Sequence, residues 1–198
     1  MFTGIIQGLA KVTDFSSGTL RLTTDLNLDD CKIGSSISCN GVCLTVIDIN
    51  KENNKFYLVT DVSEETINRT NFNFKSLNSK NINLEKSLKI GDEISGHFVY
   101  GHIDSTTKIL DIKKLKNSWM FVFEKIFGDK SMYIVEKASI AINGISLTIA
   151  NLDDNLFSVS VIPHTFLNTN LQYSNINDLV NVEFDYLARF IMNKHDRR

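Results

Sequence analysis

Residues 40–46 read NGVCLTV and residues 143–149 read NGISLTI. Both copies open on Asn-Gly, the dipeptide best suited to the positive φ of a two-residue hairpin turn, and continue into a run that alternates polar and apolar side chains. A turn followed by a half-buried strand, written twice, indicates a duplicated antiparallel β unit. The copies differ at their fourth letter, Cys43 in the first and Ser146 in the second.

Three further pairs keep the same order along the 198-residue chain. GIIQGLAKV from Gly4 resembles GHIDSTTKI from Gly101, SEETINRTN from Ser63 resembles IPHTFLNTN from Ile162, and NINLE ending at Glu85 resembles VNVEF around Glu183. Offsets of 97, 103, 99 and 98 residues drift only as short loop insertions would make them. Two copies are too few for a solenoid, so the reading is two similar domains of roughly 90 residues. They span 1–88 and 98–184 and are joined across KIGDEISGH, where Gly-Asp marks a turn. Strands are expected at 20–26, 36–39, 42–49, 55–62, 119–126, 139–142, 145–152 and 156–162. Short strands with a turn signal at each gap give an all-β fold of two small antiparallel barrels.

Residues 185–198 read as a helix. Asp185 can cap YLARFIMNKH, where Tyr186, Leu187, Phe190 and Ile191 form an apolar stripe and Lys194, Arg197 and Arg198 suit the negative C-terminal end. A helix this short needs a surface to pack on, either the protein's own barrel or an oligomer partner.

Composition narrows the function. The chain is 42% hydrophobic and 22% charged, ordinary for a protein with a buried core. A net charge of −2 gives no basic field for a phosphate backbone, which argues against nucleic acid. MFTGIIQGLA lacks a secretion signal, and no apolar run approaches the ~20 residues that span a bilayer, so no membrane partner and a cytoplasmic address are expected. Cys31, Cys39 and Cys43 fit neither a zinc site nor a C-x-x-C pair and read as free thiols of a reducing compartment. The many Asn and Lys residues read as compositional bias rather than as structure.

Six motifs, MFTGIIQG, NGVCLTV, GHFVYGHID, NGISLTI, IPHT and VNVEFD, resemble in order and spacing the α-subunit type of riboflavin synthase. The similarity covers essentially the whole chain. It implies six-stranded Greek-key barrels and a homotrimer with C-terminal helices near its axis, with no cofactor or metal. The family converts two molecules of 6,7-dimethyl-8-ribityllumazine into riboflavin and 5-amino-6-(ribitylamino)uracil. Its active site lies between the N-terminal barrel of one subunit and the C-terminal barrel of another, each barrel holding one substrate. The resemblance leaves open a larger assembly with lumazine synthase. A duplicated cradle suits a reaction in which two identical molecules play different parts. A non-catalytic lumazine- or flavin-binding protein of the same family is the competing reading, and it needs only one working cradle. A flavin-reductase-like barrel is disfavoured, since the chain has no G-x-G-x-x-G.

The substrate brings much of its own reactivity, and orientation alone supplies about 7–11 kcal/mol in favourable cases. In the alternating register Ser146 and Thr148 face one side of their strand and Leu147 and Ile149 the other; Cys43 and Thr45 repeat this in the first copy. Such a pair can hydrogen-bond a ring or a ribityl hydroxyl, and Ser146 or Cys43 can hold or deliver a nucleophile at C7. His102, within YGHID, is the expected proton shuttle for the C7 methyl group. His97, five positions earlier and on the opposite strand face, is given a structural or loop role and makes a poor metal dyad with it. His164 and His195 are expected at the surface, with a place near the pocket as the alternative for His164 because it lies in the family-like IPHT. The resemblance makes Asp185 a candidate catalytic residue in contact with substrate, besides its cap. Phe2 either plugs a barrel or covers a pteridine face, with simple burial of the terminus as the plainer alternative. Thr66 and Thr165, at matched positions, and Ile162 are expected to line the cradles. The resemblance adds Thr3, Gly4, Ile5, Gly101, Ile103 and Lys137. Tyr100 for a small residue, SEET without its proline and Lys86 for Arg depart from the family pattern and bear on loop geometry.

Overall fold

The computed structural model describes residues 1–72, 77 and 80–195, with the side chains of the final helix described as far as Ile191. The side-chain readings for Lys194, His195, Arg197 and Arg198 fall outside the described residues.

Strands β1 (Gly8–Ser16), β2 (Thr19–Thr24), β3 (Ser36–Cys39), β4 (Val42–Glu52), β5 (Lys55–Asp61) and β6 (Asn81–Lys86) close into one barrel in the order β1-β2-β5-β4-β3-β6. Strands β7 (Ser105–Lys114), β8 (Trp119–Glu124), β9 (Ser139–Ile142), β10 (Ile145–Leu152), β11 (Leu156–Val161) and β12 (Leu179–Phe184) close into a second with the matching order β7-β8-β11-β10-β9-β12. The β2–β5 and β3–β6 pairings skip along the chain, which is the Greek-key connection the resemblance implied. The register breaks are duplicated too. Bulges at Val12/Asp14 and Val46/Asp48 recur at Ile109/Asp111 and Ile149/Asn151, where the added twist helps a short sheet close on itself.

Inward positions carry the apolar half of each alternation. Val12, Leu20, Leu58 and Ile82 fill the first barrel, and Ile109, Phe121, Phe157 and Val180 the second. The barrel centres are therefore solid, and Phe2 plugs neither. It lies between the barrels, fully buried beside Val99 and Ala141, and exchanges main-chain hydrogen bonds with Val99 at 2.6 and 3.0 Å.

Phe2 and Val99 occupy equivalent places in the two copies, so the barrels are related by an approximate two-fold axis at this bridge. The Asn-Gly turns meet near it. Asn40 and Gly41 have φ of +49° and +81°, Asn143 and Gly144 of +47° and +79°, as a type I′ turn requires. A Cβ on Gly41 would stand 2.6 Å from the Gly144 nitrogen, so glycine here serves the packing of the barrels as well as the turn. Around the turns lies a two-fold set of buried amides. Asn83 donates to the Asn143 carbonyl at 3.0 Å while Asn181 donates to the Asn40 carbonyl at 2.9 Å, and the main-chain N–H groups of Asn170 and Asn71 donate to the side chains of Asn83 and Asn181 at 2.7 Å each. These asparagines hold the barrels together, which corrects the reading of the Asn content as bias alone.

Helices α1 (Glu64–Arg69) and α2 (Pro163–Asn168) cover matched corners of the two barrels. Their N-caps, Ser63 (φ −68°, ψ 157°) and Ile162 (φ −73°, ψ 158°), are superposable, so SEET reaches the same geometry without the proline. The Ser63 hydroxyl accepts from the Thr66 N–H at 3.2 Å and closes the first turn instead. Helix α3 (Tyr186–His195) ends the described chain, and the Asp185 carboxylate caps it by accepting from the Leu187 N–H at 2.9 Å.

Candidate active site

In each copy the segment ahead of the first strand is fastened to its own barrel yet lies against the other. The Thr3 N–H and hydroxyl donate to the Glu85 carboxylate at 2.7 and 3.0 Å, and the Gly4 N–H does so at 3.0 Å. The Tyr100, Gly101 and His102 N–H groups donate to Glu183 at 2.6, 2.8 and 3.1 Å. The segments then cross over. The Ser146 N–H donates to the Gly4 carbonyl at 2.8 Å and the Cys43 N–H to the Gly101 carbonyl at 2.9 Å. Ile6 packs on the second core and Ile103 on the first. Burial pushes the Glu183 carboxyl up to about 7 against the pull of its three donors, and raises Glu85 as well.

The predicted alternation holds at both polar pairs. Leu44, Val46, Leu147 and Ile149 are buried, Cys43 and Ser146 are half-buried, and Thr45 and Thr148 are exposed. The cradles are thus outer faces of the barrel walls rather than barrel interiors, each bordered by the loop that crosses from the other copy. The first joins Cys43 and Thr45 to Gly101 and Ile103, and the second joins Ser146 to Gly4. Thr3, almost fully buried on Glu85, serves the fastening, while Ile5 is exposed beside it. At the matched corners Thr66 lies in α1 and Thr165 in α2, and Ile162, exposed, precedes α2. Lys137 takes a left-handed φ of +68° where the first copy has Gly34 at +90°, and its ammonium donates to the Ala150 carbonyl at 3.2 Å. Phe2, with no exposed surface, has no face free to stack on a ring.

The two histidines of the linker end and the second crossing loop have different surroundings. His97, in the loop ahead of Val99, sets its ring Nδ1 2.7 Å from Ser146 Oγ, and its main-chain N–H donates to the Thr3 carbonyl at 3.1 Å, so its loop position also brings it to the second polar pair. Its partner lies 49 residues further along, in the second barrel, and no sequence periodicity could reveal that pairing. Burial holds the His97 ring below the usual imidazole range while the Asp185 carboxylate pulls the other way, so Asp185 acts on this site besides capping α3. The His102 ring instead stacks on Tyr100 and faces a cavity of about 280 Å³ walled by Glu183, Phe184, Tyr186 and Arg189. Among the described residues no hydrogen bond joins that ring to Ser146 or Cys43. Tyr100, the larger residue at its position, fills the space between His102 and Tyr186, whose ring centroid is 5.1 Å away. Lys86 pairs with Asp30 at 2.9 Å and leaves the adjacent Glu85 to its loop. His164 sits on α2 with its carbonyl bonded to Asn168 at 2.7 Å.

Residues 3–87 and 100–185, the two barrels with their crossing loops, each match the lumazine binding domain. The chain belongs to the lumazine-binding family. It is 38% identical to the riboflavin synthase of Buchnera aphidicola subsp. Schizaphis graminum over all of this chain and 95% of that protein. It is 39% identical to the riboflavin synthase of Actinobacillus pleuropneumoniae over 96% of this chain and 88% of that one. Among solved structures, LumP complexed with riboflavin superposes with a TM-score of 0.78 at 26% identity, covering 93% of this chain and 99% of LumP. LumP complexed with 6,7-dimethyl-8-(1'-D-ribityl) lumazine gives 0.77 at 24% identity, a likeness of fold. The domain match recurs on both barrels of this chain, and each carries its polar pair on one strand face.

Proposed function

We propose that the protein is a riboflavin synthase: a transferase that moves a four-carbon unit between two molecules of 6,7-dimethyl-8-ribityllumazine, releasing riboflavin and 5-amino-6-(ribitylamino)uracil. The observation that carries this reading is that both cradles are kept. Each copy presents a nucleophile-bearing residue and a threonine on one strand face, Cys43 with Thr45 and Ser146 with Thr148, under a loop fastened by a buried glutamate. A pigment carrier needs one such surface; a reaction between two like heterocycles needs two.

The cradles open outward, so a second subunit is the natural cover for each, and a homotrimer pairing the first barrel of one chain with the second barrel of another accounts for this. Leu187 and Ile191 on α3, more than half exposed, supply apolar surface for the association. The cytosol is the compartment in which Cys31, Cys39 and Cys43 stay as the free thiols found here. No described helix is long and apolar enough to cross a membrane.

Purified protein mixed with dimethylribityllumazine, without added metal or nicotinamide, is expected to consume two lumazines for each riboflavin formed. Stoichiometric binding with no riboflavin would instead favour a carrier like LumP, whose riboflavin complex shares this fold. Sedimentation of the same preparation tests the trimer, and adding lumazine synthase to it tests that partner.

A further inference from the structure

The two cradles are copies, yet among the described residues only the second pairs its polar strand residue with an imidazole nitrogen. The chain is pressed onto Ser146 at positions 96–97. A Cβ on Gly96 would stand 2.0 Å from the Thr3 carbonyl oxygen and 2.9 Å from the Ser146 Cβ, and the next residue sets its ring nitrogen 2.7 Å from the Ser146 hydroxyl. Cys43, at the equivalent place, packs on Phe2, Val99 and Ala141. Among the described residues no ring nitrogen or carboxylate pairs with its thiol.

The geometry points to His97 as the base that takes the Ser146 hydroxyl proton, which makes the second barrel the one whose lumazine undergoes addition at C7. This rests on the synthase reading above. In the step the Ser146 oxygen bonds to C7 as its O–H bond breaks, the proton passes to His97 Nδ1, and the π pair of the attacked ring bond moves into the conjugated heterocycle. The products are an anionic adduct and an imidazolium, and reversal returns the proton to the departing oxygen. The role needs the tautomer with its proton on Nε2, so that the Nδ1 lone pair faces the hydroxyl. Nε2 is buried and has no protein partner among the described residues, an uncommon state for a buried ring nitrogen and a frequent one at functional sites.

Burial keeps the imidazole neutral near pH 7, and neutrality is what a base requires. Asp185, ahead of α3, is the charged group that acts on the ring and would steady an imidazolium. Glu85 stands behind Thr3 on the N-terminal segment and Glu183 behind Tyr100, both engaged with main-chain donors. The facing strand β10 offers the hydroxyls of Ser146 and Thr148.

The test is steady-state riboflavin formation between pH 5.5 and 8.5 by the full chain and its variants. The wild-type kcat should fall toward the acid end, below the usual imidazole range, because protonation removes the base. His97→Gln and Ser146→Ala should each lose about 100-fold in kcat, the scale of general-base assistance, with KM within threefold. Both should lack the acid limb, the double variant should be no slower than the worse single, and Cys43→Ser should keep the limb. An acid limb that survives in the single variants, losses that multiply, or a KM that rises as kcat falls would overturn the assignment. If His97→Gln does not fold, Ser146→Ala decides alone, since it too must lose the limb. A wild type that binds lumazine without making riboflavin removes the synthase reading and this inference together; an active wild type with the limb intact in Ser146→Ala removes only the inference.

Discussion

Glu85 and Glu183 each devote a buried carboxylate to three hydrogen bonds from one loop. A glutamine in either place keeps the shape but turns an NH₂ group toward N–H donors, and a buried donor left facing a donor costs about 2 kcal/mol. Urea denaturation of Glu85→Gln and Glu183→Gln should show losses of that size. The pH dependence has a definite sign. The folded carboxyl of Glu183 holds its proton up to about 7, against an ordinary value of 4.5, so the folded state binds more protons between those limits. Stability from this group is full below 4.5 and is lost as pH rises through 7, so the gap between wild type and Glu183→Gln should narrow across that window. A gap that widens with pH would mean that the three donors outweigh burial. Both glutamates stand in the matched blocks NINLE and VNVEF, so their shared importance was legible; their partners were not, because a carboxylate caught by backbone N–H groups some 80 positions away leaves no side-chain pattern. The nearness of His97 to Ser146 was hidden for the same reason, whereas the shared strand face of Ser146 and Thr148 was legible because a period of two is written locally.

At the scale of elements, the crossing loops are the parts whose failure separates one cradle from the other. Gly101 has φ of +82°, and a Cβ there would stand 2.4 Å from the Cys43 Cβ; Gly4 has φ of +77°, with its Cβ 2.6 Å from that of Ser146. Alanine pays about 1 kcal/mol for the left-handed backbone and must also push the loop off the strand. Gly34, at φ +90° with nothing within 4 Å, isolates the first cost. Thermal unfolding should therefore rank Gly34→Ala near 1 kcal/mol and Gly101→Ala and Gly4→Ala well beyond it. Titration with lumazine should show Gly101→Ala losing the first binding event and Gly4→Ala the second, whereas equal loss of both in each variant would show that the loops act on the whole molecule. Eight of the twelve described strands were legible: β3, β9 and β10 fall on the expected residues, and β2, β4, β5, β8 and β11 shift by one to three positions at their ends, where bulges and hairpin tips blur the alternation; β1, β6, β7 and β12 were seen only as repeated blocks and not as strands. The crossing could not be read, since either copy's motif is satisfied equally well by its own barrel or by its neighbour.

For the whole molecule, duplication makes the contacts between the barrels reciprocal: Phe2 with Val99, Gly41 with Gly144, and the amides of Asn40, Asn71 and Asn83 with those of Asn143, Asn170 and Asn181. Each of these asparagines lies in a repeated block, so the signal was present in the sequence; its meaning needed the two copies set face to face. Reciprocity predicts what residues 1–88 would do alone. Such a fragment keeps Glu85 and its loop but lacks the segment that carries Gly101 and Ile103 onto its core. A second copy can supply the equivalents, with Gly4 opposite Cys43 and Ile6 in the place of Ile103, because the loop crossings, the Phe2–Val99 bridge and the Asn-Gly turns are all made by matched residues, and identical halves related by a two-fold close on themselves. The fragment should sediment as a dimer and bind one lumazine per copy, yet form no riboflavin, since it contains neither Ser146 nor His97. A monomeric fragment with undiminished affinity would show that the crossing loops are incidental to binding, and a dimer that turns over would show that the paired imidazole and serine are dispensable to the chemistry.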